Sequence, residues 1–125
     1  MPLHPLTEIS HLLQDDTPAT KFMKQTLESD DLVVFTDSKF RDTYKMTKHA
    51  MEIMEVKWKA VILYDEEYKD LKPGIEQLLE KITNNAVPPH VFYKQKYYAS
   101  GRIISRLYAH GELETLLGLD AVLVH

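Results

Sequence analysis

A strand that runs directly into a helix is the feature that most constrains how this chain can fold. Residues 32–35 are four consecutive apolar residues, and after a short polar turn the apolar residues recur at helical spacing as far as Met54. The turn lies at the N-terminus of the helix, where unpaired backbone N–H groups and the positive end of the helix dipole favour anions and thiolates. In a small α/β protein this joint is therefore the first place to look for chemistry.

The remaining segments predict the order helix, strand, helix, strand, helix, hairpin, helix. Thr17-Pro18 is a good helix start, with Thr as the N-cap and Pro in the first turn. After the joint, the predicted elements are a strand at 58–64, a helix at 73–84, a strand at 87–93, a turn at 94–95, a returning strand at 96–99 and a helix from 100–101 to 110–111. Right-handed crossovers make the first two strands parallel and add the hairpin antiparallel. The sequence thus predicts an α/β fold, a four-stranded mixed sheet with helices on both faces.

The two ends of the chain are interpreted as additions to one domain. Residues 1–17 form an N-terminal extension, residues 18–118 the domain and residues 119–125 a C-terminal tail. Apolar residues spaced by three and four within the extension predict a short amphipathic helix. Its apolar face packs either on the domain, which we favour, or on a partner. A second short helix is predicted around Leu113, Leu116 and Leu117.

The composition excludes several classes of chemistry. The chain has no cysteine, which rules out disulfides, thiolate metal sites, iron–sulfur ligation and a thiol nucleophile. Six histidines are scattered singly without the spacing of a zinc motif, so we expect no metal site. A net charge of −4 argues against nucleic-acid or membrane-surface binding, and no apolar run is long enough to span a bilayer. We expect a cytoplasmic protein.

Three local patterns, taken together, resemble glutaredoxins and the thioredoxin-like fold over about residues 18–118. The first is the strand-to-helix joint. The second is Pro89-His90-Val91-Phe92-Tyr93, which is similar to the family's cis-proline and the Val-Phe strand after it. The third is residues 107–117, similar to the family's closing pair of helices with a Gly-Glu-Leu hinge. The order and spacing of all three fit without large gaps, so the resemblance implies the glutaredoxin version of the thioredoxin-like fold.

The resemblance also implies that thiol catalysis is lost. Glutaredoxins carry a Cys-Pro-Tyr-Cys or Cys-x-x-Ser motif in the first turn of the second helix, and matching from Phe35 places Phe40-Arg41-Asp42-Thr43 there. Phe40 then takes the place of the nucleophile and Thr43 that of the resolving cysteine. A thiolate is required to attack a mixed disulfide and to bridge an iron–sulfur cluster. The dithiol and monothiol mechanisms are both expected to be absent.

Glutathione binding is a separate question, because its contacts in the family do not all involve cysteine. The family's lysine three residues before the nucleophile corresponds to Asp37, a reversed charge, and Lys39 is near enough to substitute in part. If Pro89 is the cis-proline, the residue before it is Pro88, which has no N–H to offer the tripeptide. If Pro88 is the cis-proline instead, Val87 supplies that N–H.

The start of the last helix is altered as well. The family's Gly-Gly-Cys-Asp-Asp corresponds to Ala99-Ser100-Gly101-Arg102-Ile103, which lacks the acidic residue that pairs with the γ-glutamyl amine. Backbone N–H groups at Ser100 and Gly101, helped by Arg102, would still suit a carboxylate. Each lost charged contact typically costs about 1.5–3 kcal/mol. We therefore expect no resident cofactor and glutathione binding that is weak or lost.

Several side chains leave two interpretations open. Phe40 is either an exposed aromatic anchor for a protein partner or a space-filling residue. Arg41 and Lys39 form either an anion site with the helix N-terminus or, as we favour, a solvated face. His90 and His110 are candidate ligands or bases, although a structural or surface role is preferred for each.

Two functions follow, and they belong to different classes. The first is a non-catalytic binding or regulatory module that offers the former active-site groove to a protein partner. The alternative is a glutathione-dependent enzyme, of the oxidoreductase or transferase type, or a glutathione sensor, working without its own thiol. Dimerisation through the N-terminal segment is a third, weaker hypothesis.

Overall fold

The computed structural model describes residues 6–84 and 87–111, and within them the predicted order of elements is confirmed. The predicted helix around residues 113–117 and the tail 119–125 lie outside the described residues. None of the described helices is long and apolar enough to cross a membrane. The elements are α1 (Pro18–Ser29), β1 (Leu32–Thr36), α2 (Asp42–Met54), β2 (Lys59–Ile62), α3 (Lys72–Thr83), β3 (His90–Tyr93), β4 (Lys96–Ser100) and α4 (Gly101–Ala109), with short 3-10 helices at Ser10–Leu12 and Glu66–Tyr68.

The four strands form one mixed sheet in the order β2-β1-β3-β4. Strands β1 and β2 are parallel, whereas β3 is antiparallel to β1 and β4 is antiparallel to β3. The register pairs Phe35 with His90, so the end of β1 lies beside the beginning of β3. This pairing brings the strand-to-helix joint and the double-proline segment to the same edge of the sheet.

Helices cover both faces of the sheet, as the sequence predicts. All five residues of β1 are buried, because alternate side chains face opposite layers. Val33 and Phe35 pack in the core formed with α1 and α3. Leu32 and Val34 pack in the core formed with α2 and α4. The fold class is therefore α/β, with a central strand that is buried on both sides.

Local sequence signals account for where α1, α3 and the hairpin begin or end. The side chain of Thr17 accepts a hydrogen bond from the backbone N–H of Thr20, and Pro18 occupies the first turn of α1. Asn84 ends α3 in the left-handed conformation, with φ of 54°. Lys94 and Gln95 both have positive φ, 50° and 67°, which is the geometry of a two-residue turn between antiparallel strands.

The N-terminal segment is more tightly integrated, and less helical, than predicted. Its helix is a three-residue 3-10 turn, because the chain just before it is extended and paired with β4. The N–H of Thr7 donates to the carbonyl of Tyr97 at 2.8 Å, and the N–H of Tyr97 donates back at 2.9 Å. Ile9 and Leu13 are 1% and 6% exposed, and they join the core between the sheet, α1 and α3. The preference for packing on the domain is confirmed for these residues.

Candidate functional site

The joint between β1 and α2 is a turn that its own short polar side chains hold in place. Thr36 ends the strand, and its hydroxyl donates to the carbonyl of Ser38 at 3.2 Å. The hydroxyl oxygen of Ser38 then accepts the backbone N–H of Phe40 at 3.1 Å. No side chain caps α2 at Arg41, and Asp42 places a negative charge in the first turn of the helix. Lys39 and Phe40 are exposed on this turn.

Phe40 is exposed and does not fill space in the core. Its side chain is 71% exposed, which leaves a large aromatic ring in water at the position that the resemblance assigns to a nucleophile. The Nζ atom of Lys39 lies 5.4 Å from the centre of the ring, in the geometry of a cation–π contact. The phenyl ring offers no nucleophile.

Asp37 and Arg41 neutralise one another across the turn. The guanidinium donates from Nε to Oδ1 at 2.9 Å and from Nη2 to Oδ2 at 2.7 Å, a two-pronged pair. This contact lowers the pKa of Asp37 and raises that of Arg41. Because the Arg41 side chain is committed to Asp37, the arrangement favours a solvated face over the anion site that Arg41 and Lys39 were considered for.

The cis peptide bond joins Pro88 to Pro89, so Pro89 is the cis-proline. The alternative in which Pro88 is the cis-proline and Val87 supplies the N–H is wrong. Under the resemblance to glutaredoxins, Pro88 takes the place of a residue that offers both an N–H and a carbonyl, and it has only the carbonyl. That carbonyl accepts a hydrogen bond from the hydroxyl of Thr43 at 3.0 Å.

The beginning of α4 closes on the same segment. The backbone N–H of Gly101, the first residue of α4, donates to the carbonyl of Val87. A Cβ atom on Gly101 would overlap the carbonyl oxygen of Pro88, so the close approach requires glycine. Ser100 is buried at the N-cap position, and Arg102 is exposed. One backbone donor that could hold a carboxylate at this helix start is therefore used internally.

The structure brings most of the predicted site residues together. Hydrogen bonds connect α2, the proline segment and α4 through the pairs Thr43–Pro88 and Gly101–Val87. In residues 6–84 and 87–111, no three His, Asp or Glu side chains are arranged to hold a metal ion.

The sequence does not indicate the environment of His90, which the structure shows to be buried. Its side chain is only 4% exposed, and burial lowers its pKa to about 4, with Asp37 opposing and Arg41 adding to the shift. Its Nδ1 atom has no hydrogen-bond partner among the described residues. His110, in contrast, is exposed just after α4.

His90 also lines a cleft of about 280 Å³ whose other wall includes Glu76 and Glu80 of α3. This cleft is not apparent from the sequence. The only available signal was the i, i+4 spacing of the two glutamates, and that spacing is common on solvated helix faces.

The sheet order, the cis-proline at the start of β3 and the position of the joint define a thioredoxin-like fold of the glutaredoxin type. By sequence, the chain matches no protein-family model and no curated protein. Among solved structures it is similar to oxidised glutaredoxin 2 from Chlamydomonas reinhardtii, with 19% identity, a TM-score of 0.57, and coverage of 89% of this chain and 94% of the glutaredoxin.

Two plant proteins give the same result. The holo form of glutaredoxin C1 from Populus tremula x tremuloides is 22% identical, with a TM-score of 0.60 and coverage of 81% of this chain and 96% of that one. A buckwheat glutaredoxin in complex with glutathione is 20% identical, with a TM-score of 0.62 and coverage of 86% and 91%. The predicted glutaredoxin fold is therefore confirmed.

Proposed function

We propose that this protein is a non-catalytic, glutaredoxin-like binding module that presents the joint between β1 and α2 to a protein partner. The observation that carries the proposal is the exposure of Phe40, 71% at the outward-facing turn. Large aromatic side chains at interfaces contribute more binding energy than most other residues, because they bury much area at little cost in conformational entropy. No thiol is present to perform glutaredoxin chemistry.

Polar groups around the joint are already hydrogen-bonded to one another. This favours binding of a partner at the outer surface of the joint over binding of glutathione in the adjoining groove. The carbonyl of Pro88 is engaged by Thr43, the N–H of Gly101 is engaged by Val87, and Asp37 is paired with Arg41. A peptide ligand would have to displace these contacts, and each displaced pair needs an equivalent replacement to avoid a loss of affinity. We therefore expect weak glutathione binding or none.

Glutathione-dependent activity without a thiol is the competing function. The buckwheat glutaredoxin of similar fold is a glutathione complex, and Arg102 is exposed beside the beginning of α4. A carboxylate of glutathione could pair with this guanidinium. The predictions of a cytoplasmic location and of no resident cofactor or metal remain predictions.

A comparison of two exposed apolar residues tests the role of the joint. Phe40 precedes the first turn of α2, whereas Ile53 is 52% exposed near the other end of this helix, about 17 Å from Asp42 at 1.5 Å per residue. Cell-extract partners captured by the full chain should be lost with Phe40→Ala and retained with Ile53→Ala. Equal recovery by both variants would exclude the joint as the binding surface.

A glutathione titration separates the two functions. Amide chemical shifts of the full chain are followed up to millimolar glutathione, alongside a glutaredoxin turnover assay with a cysteine-containing glutaredoxin as positive control. We expect no turnover and no saturable shift. Saturable shifts centred on Gly101 and Arg102 that disappear in Arg102→Ala would support the glutathione-dependent function instead.

A further inference from the structure

The cleft beside His90 adjoins the joint and shares Asp37 and Pro88 with it. Part of its lining is apolar, including Leu63 and Leu79, and its polar groups are mostly hydrogen-bond acceptors. It lies between α3 and the edge of the sheet where β1 ends and β3 begins. Its polar lining consists of the carboxylates of Asp37, Glu76 and Glu80, the hydroxyls of Thr36 and Thr83, and the imidazole of His90. Among the described residues, no lysine or arginine lines it.

Both threonine hydroxyl groups already donate their hydrogen bonds to backbone carbonyls of the protein. Thr36 donates to the carbonyl of Ser38, and Thr83 donates to the carbonyl of Leu79 one turn earlier in α3. A hydroxyl whose proton is engaged presents only its lone pairs to a ligand. The carboxylates likewise accept hydrogen bonds and cannot donate when ionised. A ligand in this cleft must therefore bring the donors.

The charge in the cleft is negative and only partly compensated. Arg41 pairs with Asp37, but Glu76 and Glu80 form no ion pair with any described residue. These two glutamates are four residues apart in α3 and so lie one turn apart on the same face of the helix, where like charges repel. A positively charged group between them would relieve that repulsion.

His90 is the second, independent observation that points to a ligand. It is 4% exposed, it lines the cleft, and its Nδ1 atom has no hydrogen-bond partner among the described residues. Because its pKa lies near 4, the ring is neutral at physiological pH and does not oppose a cation. A buried polar group without a partner is costly, so a ligand donor that reaches Nδ1 would offset that cost.

We propose that this cleft binds a positively charged amine or guanidinium group. Such groups carry several N–H donors and no acceptor, which complements the lining. A volume of about 280 Å³ suits the end of one long basic side chain or a small alkylamine. A metal ion fits less well, because the described His, Asp and Glu side chains do not converge as a set of three ligands. Asp37 and Pro88 border both the joint and this cleft. The inference still goes beyond the proposed function, since its ligand is held by Glu76 and Glu80 of α3 and not by Phe40.

The test is a chemical-shift titration of the full chain with two cationic probes at constant ionic strength. One probe is agmatine, a free guanidinium compound. The other is a capped alanine pentapeptide with a central arginine, and the same peptide with citrulline is the neutral control. We expect saturable shifts in His90 and Thr83 with at least one cationic probe and none with the citrulline peptide. Binding of agmatine but not of the arginine peptide would indicate a free amine or guanidinium ligand. Binding of the arginine peptide, with or without agmatine, would indicate a side chain of a partner.

Two double variants decide whether the α3 carboxylates are responsible. Glu76→Gln with Glu80→Gln should weaken binding of the cationic probe by about threefold to tenfold, since both exposed carboxylates lose their charge. Glu66→Gln with Glu67→Gln removes two exposed carboxylates outside the cleft and should change the affinity by less than about twofold. Glutamine keeps helix propensity, so both proteins should fold. Equal binding by the two double variants, equal binding of the citrulline peptide, or no saturable shift with either cationic probe would overturn the proposal.

Discussion

The hydroxyl of Thr43 donates a hydrogen bond to the carbonyl of Pro88 at 3.0 Å, across a separation of 45 residues. This bond ties the first turn of α2 to the segment before the cis-proline. The resemblance to glutaredoxins places the resolving cysteine at Thr43 and a glutathione contact at the carbonyl. In this protein the two positions are hydrogen-bonded to one another and form a structural link.

Replacing Thr43 by Val should test that link with little change in shape. We expect the free energy of unfolding in urea to fall by ~1–2 kcal/mol, because the half-buried carbonyl of Pro88 loses its donor. Thr43→Ser keeps the hydroxyl and should retain most of the stability. If Val and Ser variants unfold at the same urea concentration, the bond makes no net contribution.

Gly101→Ala should be the most disruptive change at the site. The added Cβ would overlap the carbonyl oxygen of Pro88 and approach that of Val87, both of which are backbone atoms that cannot rotate away. Overpacking of this kind costs ~1–3 kcal/mol, measured as a shift in the urea midpoint. Arg102→Ala, at the exposed neighbouring position, should change stability by less than ~0.5 kcal/mol. Equal stability of the two variants would contradict the close packing of α4 on this segment.

His90 should make stability depend on pH between about 4 and 6.5. The pKa of the folded group is about 4, below the ordinary 6.5, because burial disfavours the charged ring. In this window the unfolded chain binds a proton that the folded chain does not. The free energy of unfolding is therefore highest above pH 6.5 and falls as the pH is lowered. By pH 4 it is lower by ~3 kcal/mol. Asp37 and Arg41 are the charged groups that act on this ring.

Urea unfolding at a series of pH values measures this effect, with His90→Gln as the test variant. Between pH 4 and 6.5, the free energy of unfolding should change little with pH in His90→Gln. The pH dependence should persist in His49→Gln, a change at an exposed position of α2. A wild-type protein equally stable at pH 7 and pH 4.5 would show that the buried ring is not the titrating group.

Ile9→Ala should show that the N-terminal segment is part of the core. Ile9 is 1% exposed and packs between the sheet, α1 and α3, so truncation leaves a cavity and costs ~2–5 kcal/mol. Leu6 is 38% exposed, and Leu6→Ala should cost less than ~1 kcal/mol. Thermal unfolding measures the melting temperatures of the two variants, and that of Ile9→Ala should be clearly the lower. Similar melting temperatures would mean that the N-terminal segment is only loosely attached.

The sequence by itself determined the order of the elements and the class of the fold. The signals that predict the elements are local, and each acts within a few residues of its position in the chain. Examples are the helical spacing in α3, the Thr17-Pro18 start of α1 and the apolar run of β1. The absence of cysteine removed thiol chemistry without any structure. The short N-terminal helix was predicted too long, because pairing of Thr7 with Tyr97 connects residues 90 positions apart and no local pattern reveals it.

Only the tertiary structure decided how the residues of the candidate site are paired. It showed that Pro89 is the cis-proline, that Thr43 engages Pro88, and that Gly101 engages Val87. It also brought Glu76 and Glu80 of α3 to the same cleft as His90. These relationships depend on the register between β1 and β3 and on the packing of α2, α3 and α4 around one edge of the sheet. Such contacts join distant parts of the chain, whereas periodicity and capping report only on near neighbours.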